Sequence, residues 1–124
     1  MSEAAATGAL PPVISGYLSA SDRGDAEAIV RCFAEDAVVV DEGQEWRGTA
    51  AIRRWRDTVA TAYDYTVQVT GAKAVGEVDG VEGHDVYLHL EGNFPGGVVD
   101  LTDRFALRDG RIARLEIVPT EAGP

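Results

Sequence analysis

The segment from Asp25 to Asp41 constrains the fold more than any other part of the chain. Its first half has the spacing of a short amphipathic helix that ends at Phe33, and Ala37 to Asp41 is an apolar strand that ends on a carboxylate. A further helix begins near Thr49. An acid that an apolar strand delivers between two helices favours a concave pocket with a polar residue inside it, and Asp41 is that residue.

Composition limits the size and the partners of the protein. The chain has 124 residues, 45% of them hydrophobic, which suits one domain with one core. The formal net charge of −10 argues against a nucleic-acid partner. We interpret Arg53, Arg54 and Arg56 as a solvated helix face. The single Cys32 is read as a small buried residue and fits a cytoplasmic location.

Other kinds of site and location are not indicated by the sequence. No apolar run is long enough to span a membrane, so we predict no membrane association. Neither a Cys/His metal-ligand spacing nor a glycine-rich phosphate loop is present, and we therefore predict chemistry without a cofactor or metal. Residues 1–9 have no pattern and are expected to form a flexible tail, which leaves residues 10–120 as a single domain.

Helical spacing dominates the first part of this domain. A first helix starts at Pro12 and ends before Gly24, and Tyr17 lies on its apolar stripe. Asp25 caps the second helix. The third helix has apolar residues at helical spacing, namely Ile52, Trp55, Val59 and Tyr63. We expect Trp55 to form part of the pocket wall.

Strand patterns dominate the second part. Four strands are predicted, at Tyr65 to Val78, His84 to Asn93, Val98 to Leu107 and Ile112 to Val118. Turn signals such as Asp79-Gly80 and Asp109-Gly110 separate them, which predicts an antiparallel meander. Strands this long must bend and twist to stay compact. We therefore predict an α+β cone, in which three N-terminal helices pack on a strongly curved antiparallel sheet that encloses a cavity.

Strand alternation assigns side chains to the cavity. Val86, Leu88 and Leu90 point inward, whereas Tyr87 and His89 point outward. In the next strand Leu101, Asp103 and Phe105 share the apolar face, so Asp103 is the single charged member of an apolar row. An unpaired ionised carboxylate there costs several kcal/mol. Asp103 therefore either finds a partner, for example Arg114 or Arg47, or stays protonated.

These residues resemble a known family. The resemblance rests on Tyr17, Phe33-Ala34-Glu35-Asp36-Ala37, Asp41, Gly48-Thr49-Ala50-Ala51-Ile52-Arg53, and Asp103 followed by Phe105 and Asp109-Gly110-Arg111-Ile112. Together they are similar to Δ5-3-ketosteroid isomerase, a member of the nuclear-transport-factor-2-like (SnoaL-like) superfamily. The resemblance implies that Asp41 is a general base and that Tyr17 and Asp103 donate hydrogen bonds to an oxyanion, as in the general scheme for this enzyme.

The implied reaction moves a double bond into conjugation with a ketone, so the expected substrate is a small hydrophobic ketone. The expected pocket wall consists of Trp55, Val86, Leu88, Leu90, Leu101 and Phe105. The resemblance also implies a homodimer, packed through the outer sheet face that carries Tyr87, His89 and Thr102. Two alternatives remain open: a SnoaL-like polyketide cyclase or a dehydratase, which would need His84 in the pocket, and a non-catalytic ligand-binding domain.

Overall fold

Three helices and six strands form the part of the chain that the computed structural model describes, which is residues 10–58, 64–78 and 80–120. The helices are α1 (Pro12–Arg23), α2 (Ala26–Arg31) and α3 (Thr49–Thr58). The strands are β1 (Phe33–Asp41), β2 (Gln44–Arg47), β3 (Tyr65–Val78), β4 (Val81–Gly92), β5 (Val98–Arg108) and β6 (Arg111–Pro119). The predicted N-terminal tail lies outside the described residues, as do Val59, Tyr63 and Asp79. The described helices include none that is long and apolar enough to cross a membrane.

Local signals determine where the first two helices meet. Gly24 adopts the left-handed conformation (φ 69°) that glycine tolerates best, and α1 ends there. Asp25 caps α2 by accepting a hydrogen bond of 3.1 Å from the backbone N–H of Ala28. The predicted end of α2 at Phe33 is wrong, because Phe33 already pairs with Ile112 in the sheet. The helix ends two residues earlier, at Arg31, because the chain joins the sheet from Phe33 onward.

The sheet is mixed, so the prediction of a purely antiparallel sheet is wrong. Its strand order is β2-β1-β6-β5-β4-β3. Strands β3 to β6 form the predicted antiparallel meander, within three residues of their predicted ends. Strand β1, however, pairs with β6 in parallel. Register shifts in β3, between Val69 and Gly71 and between Ala74 and Gly76, mark bulges that bend this strand.

Strand β2 occupies part of the segment that the sequence pattern indicated as a polar loop. Glu42 and Gly43 both have positive φ, 52° and 79°, as the tightest two-residue hairpin turns require. The chain therefore reverses immediately after Asp41 and pairs Gln44 with it. This turn fixes Asp41 at the end of a paired strand instead of in a mobile loop.

The core lies between the helices and one face of the sheet. Among the described residues, the large side chains that are fully buried there are Trp55, Phe33, Ile14, Ile29, Ile52, Ile112, Leu115, Val39 and Val86. Two polar residues predicted to be exposed are instead buried. Thr102 bonds to Thr120 across 2.8 Å and is covered, so it does not lie on an open outer face. Arg56 is 7% exposed, and its assignment to a solvated helix face is wrong.

Candidate active site

A pocket of about 1030 Å³ opens between the helices and the sheet. Side chains from α1, α3 and five strands line it. Among these lining residues are the three predicted catalytic side chains and most of the predicted wall, namely Tyr17, Asp41, Asp103, Trp55, Leu88, Leu90 and Leu101. Val86 and Phe105, which were also predicted to contact substrate, are buried in the core and are not among the lining residues.

Tyr17 enters the pocket from the buried stripe of α1. Its ring makes edge-to-face contacts with Phe33 and Phe105, each at 5.7 Å between ring centroids. Phe105 therefore holds Tyr17 in place from behind. Burial, and after it the negative charge of Asp103, raises the pKa of the Tyr17 phenol far above its usual value. The phenol keeps its proton and can act as a hydrogen-bond donor.

Asp41 and Asp103 lie in one row across three neighbouring strands. Ile117 of β6 pairs with Asp41 of β1 on one side and with Asp103 of β5 on the other. Residues directly opposite each other on neighbouring strands point to the same face, so all three side chains face the pocket. Two strand spacings separate the backbones of the two acids by about 10 Å. The row depends on the parallel pairing of β1 with β6, which the sequence pattern did not predict. The pattern therefore gave no indication that Asp41 and Asp103 share a row.

The carboxylate of Asp41 is fixed by α3. The indole Nε1–H of Trp55 donates a hydrogen bond of 2.9 Å to Asp41 Oδ2. Trp55 itself is 1% exposed and cannot turn away without disrupting the core. Asp41 is half-buried and lines the pocket. Trp55, predicted only as pocket wall, therefore also orients the acid.

Asp103 is an almost fully buried residue, and the pKa of its carboxyl is strongly raised. It is 3% exposed, and burial, together with the charge of Asp41, raises its pKa to about 7. The arginines considered as partners are engaged elsewhere: Arg47 lies 3.1 Å from Glu45, and Arg114 lies 3.9 Å from Glu116. Asp103 therefore retains its proton to a far higher pH than an ordinary aspartic acid.

Arg56 is the pocket residue whose environment the sequence pattern misassigned. It lines the pocket beside Trp55, with its guanidinium carbon 5.7 Å from the centroid of the indole. A usable signal was present, because Arg56 follows Ile52 by four residues and therefore falls on the buried stripe of the helix.

The histidines are not part of this pocket. His84 lies 3.2 Å from Glu82, and His89 lies between Asp100 and Glu91, 2.7 Å and 2.9 Å away. Neither lines the pocket, so the dehydratase alternative that depended on His84 has no support from its position. Within the described ranges no cluster of three or more His, Cys, Asp or Glu side chains has an arrangement that could hold a metal ion.

The solved structures most similar to this chain include a candidate polyketide cyclase from Sinorhizobium meliloti. It is 38% identical with a TM-score of 0.77, and the match covers 88% of this chain and 95% of that one. A candidate aromatic ring hydroxylase from Novosphingobium aromaticivorans is 21% identical, with a TM-score of 0.74 and coverage of 89% and 85%. No curated protein matches the chain.

A protein from Catenulispora acidiphila with a ketosteroid isomerase-like fold, bound to trimethylamine, is 18% identical. Its TM-score is 0.70, with coverage of 89% and 86%. At this identity the likeness shows the fold alone, which is an α+β fold with a curved mixed sheet. The SnoaL-like domain matches residues 14–115, most of the chain. This protein therefore belongs to the family of SnoaL-like domains.

Proposed function

We propose that this protein is a cofactor-independent enzyme that removes a proton next to the carbonyl of a hydrophobic ketone and stabilises the resulting enolate. One observation carries the proposal: two carboxyl groups of one sheet row face the same pocket in different environments. Asp41 is half-buried and held by an N–H donor, whereas Asp103 is almost fully buried and titrates near neutrality. Pairs of acids in unlike environments are typical of divided acid and base roles.

Asp41 is the base in this scheme. Its carboxylate reaches the pocket from the end of β1 and accepts a hydrogen bond from Trp55, which leaves Oδ1 for the substrate proton. The position is fixed on both sides of the residue, by the β1–β6 pairing and by the turn at Glu42 and Gly43. A base held in one orientation needs little reorganisation before it accepts the proton.

Tyr17 and Asp103 supply the donors for the enolate oxygen. The phenol is protonated because its pKa is raised, and Asp103 is protonated below about pH 7. Both groups can therefore donate an O–H to the carbonyl oxygen as it gains negative charge. Donors that are already oriented in a poorly hydrated site stabilise such charge better than water does.

The enolate can react further in two ways. In an isomerisation, protonated Asp41 returns its proton to the γ-carbon, and the double bond moves into conjugation with the ketone. In a ring closure, the enolate carbon attacks a second carbonyl of the same molecule, a carbon–carbon bond forms, and the attacked oxygen takes the proton. The second outcome is favoured by the 38% identity to a candidate polyketide cyclase. Both outcomes share the proton abstraction.

Deuterium exchange tests the proton abstraction that the isomerisation and the ring closure share, whichever of the two follows it. β-Tetralone, a hydrophobic ketone with acidic α-protons, is incubated with the protein in D2O and analysed by mass spectrometry. We expect incorporation of deuterium at the α-carbon well above the rate in buffer with a denatured sample. No acceleration for β-tetralone, for a panel of β,γ-unsaturated ketones, or for aromatic ketones that also carry a carboxylate would refute the proposal. A conjugated product from a β,γ-unsaturated ketone, detected by its ultraviolet absorbance, would then indicate the isomerase. A cyclised product from a substrate with a second carbonyl would indicate the cyclase.

A further inference from the structure

Arg56 is charged, buried and without an ion-pair partner among the described residues. Six other arginines do pair with carboxylates, and the side chain of each is at least 44% exposed; they are Arg23, Arg47, Arg53, Arg104, Arg108 and Arg114. Arg56 is 7% exposed and forms none of these pairs. An uncompensated buried charge costs several kcal/mol, so a fold retains one where something else compensates for it.

The surroundings of Arg56 leave its guanidinium open to the pocket. The described residues contain no buried side-chain nitrogen or oxygen that lacks a hydrogen-bond partner. Since Arg56 lines the pocket, its N–H groups are reached from the pocket instead of being sealed in the core. The guanidinium carbon lies over the Trp55 ring, 5.7 Å from its centroid. A planar guanidinium can donate two parallel hydrogen bonds to one acceptor group such as a carboxylate.

The described acids that line the pocket form no ion pair with Arg56. Asp41 accepts its hydrogen bond from Trp55, and Asp103 has a raised pKa. Among the described residues, the remaining acids of the lining are Asp22, Glu42 and Asp64, which are exposed to solvent, where charge is screened. Arg23, the other cation among the described lining residues, is also exposed and lies 3.6 Å from Asp25. Arg56 is therefore the cation that a ligand inside the pocket can pair with.

We propose that the natural ligand of this pocket carries a carboxylate that Arg56 binds beside the Trp55 ring. The ligand is then an acid with a hydrophobic body, and not a neutral ketone such as a steroid. The inference rests on the proposed function in so far as the same molecule is the substrate: its carboxylate binds Arg56 while its ketone lies near Tyr17 and Asp103. The anion site itself requires no catalysis, so the two ideas can be tested separately.

A rival role for Arg56 is to stabilise the enolate through Tyr17, whose pKa its positive charge partly lowers. In that case the charge would act on the reaction and would not select a ligand. A pair of unreactive probes tests ligand selection in the absence of any reaction, because 2-naphthoate and 2-naphthamide have the same shape and differ in charge. Titration calorimetry at low salt gives the dissociation constant of each.

We expect the wild type to bind 2-naphthoate at least tenfold more tightly than 2-naphthamide. Arg56→Gln should remove this preference, and Arg56→Lys should retain part of it, since lysine offers the charge without the fork. Arg54→Gln, an exposed arginine of the same helix, is the matched control and should keep the full preference.

Two results would overturn the inference: a wild type without the preference, or a preference that persists in a folded Arg56→Gln. Circular dichroism would show whether Arg56→Gln folds. If it does not fold, the comparison of the two probes on the wild type still tests whether the pocket prefers an anion. The result of the deuterium-exchange experiment does not depend on the result of the binding experiment. A wild type that prefers 2-naphthoate yet exchanges no ketone proton would retain the anion site and refute the proposed reaction.

Discussion

Charged side chains behave differently in the pocket and on the outer surface. On the surface, arginines and histidines lie against carboxylates: Arg108 is 2.8 Å from Asp36, and His89 contacts two acids. In the pocket Asp41 has a neutral indole as its partner, and neither Arg56 nor Asp103 forms an ion pair with another described residue. The protein pairs its charges on the surface, where pairing contributes little, and leaves the ionisable groups of the pocket without an ion-pair partner among the described residues.

Energetics explain why this difference points to function. Exposed ion pairs contribute about 0–1 kcal/mol, because water already solvates both partners. Buried, uncompensated charges cost several kcal/mol, as burial disfavours the charged form. Asp41, Arg56 and Asp103 all line the pocket, where a bound molecule can reach them. Their presence is best explained by a ligand that supplies the missing partner.

The largest effect is expected for Asp41→Asn. Asparagine has nearly the same shape and can still accept the bond from Trp55, yet it is too weak a base to take the proton. The rate of deuterium exchange into the best ketone should fall by about 10²–10⁴-fold. Glu42→Gln is the control, since this neighbouring acid also lines the pocket but is exposed. Equal losses in both variants would mean that charge at the pocket matters and a positioned base does not.

Tyr17→Phe should have the next largest effect. The ring keeps its edge-to-face contacts with Phe33 and Phe105, so the fold is retained and only the hydroxyl is lost. Loss of one oriented donor to an oxyanion lowers turnover by about 10²–10³-fold. Steady-state kinetics on the same ketone measure the change. A variant with unchanged turnover would restrict Tyr17 to a packing role and leave Asp103 as the single donor.

Much of the fold was predictable from local sequence patterns. Gly24 ends a helix, Asp25 begins one, and Asp109-Gly110 reverses the chain with positive φ at both positions, because each signal acts over a few residues. The parallel pairing of β1 with β6 was not predictable. It joins segments more than seventy residues apart, and no local pattern specifies the partner of a strand.

The site was predictable in its parts but not in its arrangement. An acid in an apolar row identified Asp103, and an acid at the end of an apolar strand identified Asp41. Their common row through Ile117 depends on the β1–β6 pairing and became visible only in the structure. Arg56 was misjudged because two exposed arginines precede it, although its spacing from Ile52 indicated the buried stripe.

A stability measurement tests whether Asp103 is a buried acid. Between about pH 4 and pH 7 the folded protein retains a proton on Asp103 that the unfolded chain releases, since the pKa is raised from 3.8 to about 7. Raising the pH through this range must therefore lower the free energy of unfolding, by up to about 4 kcal/mol from this group. Above about pH 7 the contribution is constant.

Asp103→Asn removes this dependence. Its stability relative to the wild type should increase as the pH rises from 4 to 7 and then level off, as urea denaturation at pH 4.5, 6 and 8 would show. A constant difference across this range would mean that Asp103 has an ordinary pKa. In that case its carboxyl would be ionised at neutral pH and could not donate to an enolate.

The smallest effect is expected on the outer surface, at His89. The hydrogen bond to Asp100 raises the pKa of this imidazole most, and the hydrogen bond to Glu91 raises it further. The sign is opposite to that of Asp103: the charged form is favoured in the folded state, so its contribution is present below about pH 6.5 and is lost as the pH rises through the folded pKa. His89→Gln should therefore be slightly less stable than the wild type at pH 5.5 and equal to it at pH 9. Since the group is open to solvent, the change in urea midpoint should be much smaller than that for Asp103→Asn. A change of similar size would mean that paired surface charges matter to this fold as much as unpaired buried ones, and the location of unpaired charge would then no longer indicate the site.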